Sequence, residues 1–403
     1  MRVAYFIHDV TDPAVARRVK MLRAGGAEVR VVGFRRNDQP VTELEGAPVF
    51  DLGRTFDARL GHRAAAVARW TLMGRLGDML DGCDVILARN LEMLALASAA
   101  RWSETRRLPL VYECLDVHRI MFSTTAAGKA MRAAERGLLQ QCQMLMVSSP
   151  AFLSGYFEPV QKIGQMKLQT LLVENKMLDL DGSMTLAAAE PRPAGPPWRI
   201  GWFGILRCRK SLNLLSALAA RRPDLVRIDI RGRPSLAVFE NLAAEIEDIP
   251  SMRFGGAYDP ADLPQLYRSC HFVWAADFYD EGKNSALLIP NRIYDAGAHH
   301  TVPIALAEAE TGRCLARRGL GVRVRDPLHE LEAMFEAMTP EIYRRLEAAS
   351  AAADPSFFRA DQSDCEGLCA ALSALPDQVR VSHVPAYRPK PFVPGAAGNA
   401  LSR

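Results

Sequence analysis

Short apolar runs alternate along the chain with longer stretches in which apolar residues recur every three or four positions, a pattern that predicts strands and helices in regular succession. VAYFIH, from residue 3, reads as a buried strand, and PAVARRVKMLRAGG as a helix opened by Pro13 and closed by Gly25 and Gly26. EVRVVGF follows as a second strand. The order then repeats: CDVILAR is a strand, LEMLALASAARW a helix, LPLVYECLD a strand, residues 126–142 a long helix and QMLMVSS another strand. Strands separated by helices imply a parallel sheet covered on both faces.

Around residues 173–198 the periodicity breaks in VENKMLDLDGSMTLAAAEPRPAGPPW, a stretch rich in Pro, Gly and Ala that reads as a joint. Alternation restarts with strand WRIGWFG, helix SLNLLSALAAR, strand VRIDIRG, a helix near 235–247, strand SMRFGG, helix PADLPQLYRSC and strand HFVWAA, and helices near 328–352 and 361–375 follow. The expected fold class is α/β: a doubly wound, Rossmann-like domain at 1–176, a linker at 177–197, a second such domain at 198–382 that includes the C-terminal helices, and a Pro-rich tail at 383–403. Two such sheets place the carboxyl ends of their strands around one central cleft, where ligands of these folds bind. The first strand–helix junction, FIHDVTDP, has no glycine, so the fingerprint of a dinucleotide-dependent oxidoreductase is missing.

At 403 residues the chain is long enough for two hydrophobic cores, and 49% apolar with 24% charged residues is the usage of an ordinary globular protein. No run approaches the roughly 20 apolar residues that span a bilayer. The opening MRVAYFIHDVTDP is too short and too quickly acidic for a secretory signal, so the expected place is cytoplasmic, with peripheral attachment at the inner face of the plasma membrane. Eight scattered cysteines without a paired CxxC unit argue for reduced thiols and against zinc. The net charge of +4 conceals an asymmetry, because residues 1–176 carry 24 Lys/Arg against 18 Asp/Glu and the remainder 26 against 28. A basic first lobe, with Arg17, Arg18, Lys20 and Arg23 on one helix, suits an anionic membrane or an acceptor phosphate, and a solvated helix face explains it equally. Basic and aromatic residues are not interleaved as in nucleic-acid modules, which argues against that partner.

The chemistry concentrates in IGWFGILRCRKSLNLL, where a strand ends at Gly204, a basic loop follows and a helix begins near Ser211. Helix N-termini bind anions through free N–H groups, and Arg207, Arg209 and Lys210 add charge-assisted contacts; a basic surface loop is the plainer reading. Strand, Gly204 and then Lys210 six residues on resembles the donor-diphosphate loop of GT-B glycosyltransferases of the E-x7-E type, similar to glycosyltransferase family 4. That family has its arginine directly after the glycine, whereas Ile205 stands here and Arg207 or Arg209 would take the role. RFGGAYDPADLPQLYRSCHFVWAAD resembles the family's base-binding stretch, and in DFYDEGKNSALLIPNRIYDAGAHHTVPIA the residues Pro290, Asn291, Arg292, Tyr294 and Asp295 follow its order.

The resemblance implies a GT-B architecture and a nucleotide-diphosphate sugar as donor, UDP-glucose favoured, with no separate cofactor and no metal. It makes Asp295 the acceptor of hydrogen bonds from ribose hydroxyls, a role suited to a carboxylate. Glu281 lies fourteen residues before Asp295 rather than eight, so the motif is a variant. Glu281, Asn284 and Ser285 are candidates to meet the sugar or diphosphate, and a solvated polar turn is the alternative. His299 and His300 read as ordinary turn residues. In the first lobe VYECLDVHRIMF puts Asp116 and His118 beyond a strand, where relatives have a histidine at the donor sugar, so His118 is the candidate catalytic group with Asp116 orienting it. His8, Asp9 and Asp12, and Arg89, Asn90 and Glu92, end neighbouring strands and could line the acceptor side. Asp179 and Asp181 form an Asp-x-Asp pattern in the joint, a weak metal signal. Within the clan the chain looks most like bacterial exopolysaccharide glucosyltransferases of the succinoglycan type, with a lipid-linked or polysaccharide acceptor. The alternatives are a nucleotide-sugar epimerase of the same fold and a non-catalytic sugar-nucleotide-binding subunit.

Overall fold

The computed structural model describes residues 1–55, 66–71, 77–102, 108–182 and 192–375; the Pro-rich tail lies outside them. Eight strands make the first sheet: β1 (Arg2–Ile7), β2 (Glu28–Arg35), β3 (Glu43–Leu44), β4 (Ala47–Arg54), β5 (Val85–Arg89), β6 (Leu110–Cys114), β7 (Met144–Val147) and β8 (Gln169–Leu172). Their order is β3-β4-β2-β1-β5-β6-β7-β8, parallel apart from the short β3–β4 pair. Val3 to Ile7 and Val85 to Arg89 are buried without alternation, as strands covered on both faces require. The covering helices include α1 (Pro13–Ala24), α2 (Leu91–Trp102) and α3 (Ala126–Leu139). Asp12 caps α1 by accepting from Ala14 N–H, and Pro13 occupies its first turn.

The joint carries β9 (Met177–Leu178), after which the second sheet follows: β10 (Trp198–Leu206), β11 (Val226–Pro234), β12 (Met252–Phe254), β13 (Phe272–Trp274), β14 (Val302–Leu306) and β15 (Val322–Val324). Their order is β12-β11-β10-β13-β14-β15, all parallel. Trp198, Trp202 and Trp274 are fully buried in a core that the helices α4 (Arg209–Arg221) and Pro327–Glu336 close from one side.

The chain then returns to the joint. β16 (Arg359–Ala360) pairs with β9 in parallel, and the last described helix, α7 (Gln362–Ser373), packs on α1 of the first lobe. The sequence reading grouped this helix with the second lobe. Its apolar stripe of Cys365, Leu368, Cys369 and Leu372 is instead buried with Val15, Val19 and Leu22, and Cys369 Sγ lies 3.2 Å from Leu22 O. Gly25 makes the contact possible, because a Cβ there would stand 2.2 Å from Cys365 O. All eight cysteines are buried and free. Among the described residues no helix is long and apolar enough to cross a membrane.

Candidate active site

The carboxyl ends of both sheets meet at one cleft. On its second-lobe side β10 runs past Gly204, expected as its end, to Leu206; the φ of +111° at Gly204 favours glycine, and α4 begins at Arg209 behind Cys208. Cys208 caps the helix through Sγ, which accepts from Ser211 N–H at 3.3 Å. Lys210 sits in the first turn, 4.5 Å above the Phe278 ring, with Nζ 2.7 Å from Glu281 Oε1. Arg207 lies 4.5 Å over the Tyr279 ring. Arg209 is directed elsewhere, onto Glu245 and the Phe239 ring, so Arg207 is the arginine left beside the diphosphate loop. Phe278 and Tyr279, the rings beneath the two cations, were missed in the sequence, where the only signal was the adjacent pair in DFYDEG.

The segment after this loop crosses the cleft. α5 (Asn284–Leu287) starts with Asn284, buried, whose Nδ2 donates to Asp116 Oδ1 at 2.8 Å while its Oδ1 accepts from Val117 N–H at 2.9 Å. Ser149 Oγ donates to Leu287 O at 2.5 Å, and Leu287 and Leu288 join the first-lobe core. Gly155 leaves room for Leu287, since a Cβ there would come within 2.5 Å of Leu287 Cδ2. Ser285 is buried and accepts from Asp280 N–H at 2.9 Å, holding the turn. Of the three residues expected to meet sugar or diphosphate, Asn284 therefore clasps the lobes, Ser285 folds the loop, and Glu281 neutralises Lys210.

The nucleoside end is built on α6 (Asn291–Ala298), with Asn291 and Arg292 in its first turn. Asp295 receives the Tyr267 hydroxyl at 3.4 Å. Burial pushes its carboxyl up to about 6, against the opposing pull of Arg17, Tyr267 and Arg292. Arg292 Nη1 is buried with no hydrogen-bond partner among the described residues. His299 and His300 lie in a turn, as expected, but His299 is buried beside Tyr267, and its pKa falls to about 4 through desolvation and neighbouring arginines.

On the first-lobe rim Asp116 stays open to the cleft, yet the surrounding protein raises its carboxyl by desolvation, offset by Asn284 and the charge of Arg207. His118 is exposed, and its Nδ1 accepts from Ile120 N–H at 3.2 Å as the cap of the turn Arg119–Phe122. That bond leaves the proton of the neutral ring on Nε2. Ile120 N–H thus holds the His118 ring, while Asp116 Oδ1 accepts from Asn284 Nδ2.

Two other rim readings change. Arg89 is fully buried, bonded through Nε to Glu113 Oε2 at 2.8 Å, and holds the rim from beneath rather than lining the acceptor side. The basic stripe of α1 divides: Arg18 is buried on Glu113 and Arg17 Nη1 reaches Asn175 O at 2.8 Å, whereas Lys20 and Arg23 lie on the exposed side of the helix. Lys20 pairs with Glu45 and Arg23 donates to Glu45 O. His8 Nδ1 lies 3.1 Å from Asn90 Nδ2, and Asp9 pairs with Arg36. Asp179 is paired with Arg359 at 3.5 Å.

No protein-family model matches the chain. It is 41% identical over 382 residues to the succinoglycan biosynthesis protein ExoL of Rhizobium meliloti (strain 1021), across 93% of this chain and 94% of that protein. Sucrose-phosphate synthase from Thermosynechococcus elongatus is similar in structure with a TM-score of 0.66 at 13% identity, covering 94% of this chain and 98% of its own. Anabaena HepE in complex with UDP and glucose gives a TM-score of 0.63 at 16% identity, covering 92% and 98%. The two solved structures establish the likeness of fold.

Proposed function

The chain belongs to the family of the succinoglycan biosynthesis protein ExoL, and we propose that it is a GT-B glycosyltransferase of exopolysaccharide synthesis that transfers a hexose, glucose first, from UDP-glucose to a lipid-linked or polysaccharide acceptor. The observation that carries the reading is the arrangement of Arg207 and Lys210 at the start of α4, with Asp295 on α6, which follows β13, the strand beside β10 in the sheet. Two cations and free N–H groups suit a diphosphate, and a carboxylate suits ribose hydroxyls. Arg292 Nη1, which has no hydrogen-bond partner among the described residues, suits the same nucleotide. HepE, similar in fold, was solved with UDP-glucose.

Glycosyl transfer builds negative charge on the departing diphosphate, which Arg207, Lys210 and the α4 N-terminus stabilise. His118, with its proton on Nε2, meets the donor sugar from the opposite rim, and Asp116 holds the rim through Asn284. The proposed place of action is the inner face of the plasma membrane, a reading supported by the excess of Lys and Arg over Asp and Glu in residues 1–176. Thermal unfolding with and without UDP-glucose, followed by product identification, tests the assignment: a raised transition and a glycosylated acceptor are expected. A shift with no nucleotide sugar, or conversion of the donor to an epimer alone, would overturn it.

Asp295→Asn is expected to raise the donor KM about tenfold by removing an acceptor used equally in ground and transition states. Because the folded carboxyl titrates at about 6, wild-type donor affinity falls as pH drops through that value, and the variant loses this dependence. The linkage has the opposite sign for stability. A carboxyl raised above its unfolded value of 3.8 costs nothing while protonated below about pH 4 and its full penalty above about pH 6. The variant should therefore melt higher than wild type at pH 7, which calorimetry reads directly. Glu281→Gln frees Lys210 from an exposed ion pair and should tighten UDP about two- to fivefold by titration calorimetry.

A further inference from the structure

Helices cover one face of the second sheet fully and the other only in part. On the partly covered face Phe203, Tyr267, Cys270, Val273 and Ala296 form a small apolar cluster with the helix Leu263–Arg268 and α6. Beyond that cluster β10, β11 and β12 carry arginines. VRIDIRGR alternates, so Arg227, Asp229, Arg231 and Arg233 share one face, and the parallel register sets Arg199 beside Arg227 and Arg253 beside Asp229. Five guanidiniums and one carboxylate thus occupy the ladder.

Arg199, Arg227, Arg233 and Arg253 are exposed, and among the described residues their guanidiniums have no hydrogen-bonded or ion-paired partner. Arg231 is fixed by donating to Gly256 O and Ala257 O at 3.3 and 3.2 Å. A concave site of about 340 Å³ opens over this face, lined by Arg199, Arg231 and Arg253 with Asp229, Asp262 and Gln265. An edge strand is protected from pairing by one or two charges. Five like charges spread over three strands repel one another, a cost that a bound anion removes.

We propose that this face is a second anion site, on the flank of the strands whose ends form the donor cleft, and that it takes a phosphate-bearing, hydroxyl-rich ligand. The guanidiniums meet phosphate oxygens in forked geometry, and Asp229 and Gln265 accept from hydroxyls. A soluble sugar phosphate and the headgroup of an anionic phospholipid share that chemistry. The assignment stands independently of the donor reading, since it uses none of the cleft residues.

Titration calorimetry with inorganic pyrophosphate tests it in wild type, in the double variant Arg199→Ala/Arg253→Ala, and in Lys210→Ala. Both arginines are exposed, and circular dichroism confirms folding. Two classes of site are expected. The double variant weakens one by at least about tenfold, as the loss of two charge-assisted contacts requires, and Lys210→Ala spares that class. A parallel arm sediments each protein with phosphatidylcholine vesicles holding one quarter phosphatidylglycerol. Vesicle binding lost in the double variant assigns the phosphate to a lipid headgroup, and loss of pyrophosphate binding alone assigns it to a soluble ligand. Pyrophosphate and vesicle binding both unchanged by the double substitution would overturn the proposal, as would an absence of both in wild type. A second class that Lys210→Ala leaves unmoved, with the arginine class intact, would count against the donor site only.

Discussion

Lys210→Ala lowers kcat by about 10²- to 10³-fold and moves the donor KM by much less. The reason is the timing of the charge. In the unliganded protein Lys210 is half-exposed, 2.7 Å from Glu281, and an ion pair so open to water contributes little. When the glycosidic bond to the diphosphate breaks, negative charge grows beside the first turn of α4. A cation there is then more strongly engaged than in the ground state, so its removal falls on turnover. The side chain is half-exposed, lying over the Phe278 ring and paired with the exposed Glu281, so truncation leaves the fold intact. Steady-state kinetics with UDP-glucose read the split, and an unchanged kcat would place the diphosphate elsewhere.

Glu113→Gln is expected to destabilise the protein by about 3–5 kcal/mol. Glu113 is fully buried and takes bonds from Tyr5 Oη at 2.6 Å, Arg18 Nε at 2.8 Å and Arg89 Nε at 2.8 Å. The amide would leave two buried guanidiniums without their counter-charge. Burial alone would raise this carboxyl, yet the two arginines and the hydrogen bonds from Arg89 and Tyr5 bring it down to about 2. A depressed folded pKa contributes stability that is fully present above the unfolded value of 4.5 and is lost as pH falls toward 2. Chemical denaturation across that range should show a slope in wild type that the variant lacks. Because Glu113 ends β6 just before Asp116, and Arg89 Nη2 also donates to Ala14 O at 3.3 Å, the same change should loosen the first-lobe rim and lower activity.

The parallel strands were legible where burial on both faces produced unbroken apolar runs, as in β1, β5 and β10. β9 and β16 were not, because two-residue strands carry no period. α7 was visible as a helix, but an apolar stripe does not name its partner, and its return to α1 depends on the bare surface at Gly25. In the cleft, Gly204 and Lys210 stood out because a glycine late in a strand and a lysine opening a helix have a local signature, although β10 runs two residues past the glycine, pairing to Leu206. Asn284 did not, since an asparagine in a polar loop reads alike whether it faces ligand or bridges to Asp116 across 168 residues. Arg89 misled for a related reason: at a strand end an arginine reads as a cleft residue, and only the fold brings Glu113 beneath it.

A crystal structure with UDP bound tests the donor assignment most directly. The diphosphate should lie against the first-turn N–H groups of α4, within hydrogen-bond reach of Arg207 and Lys210, with Glu281 released from Lys210 and the ribose hydroxyls on Asp295. UDP bound away from these residues, on the first-lobe rim or on the arginine face of β10–β12, would contradict it.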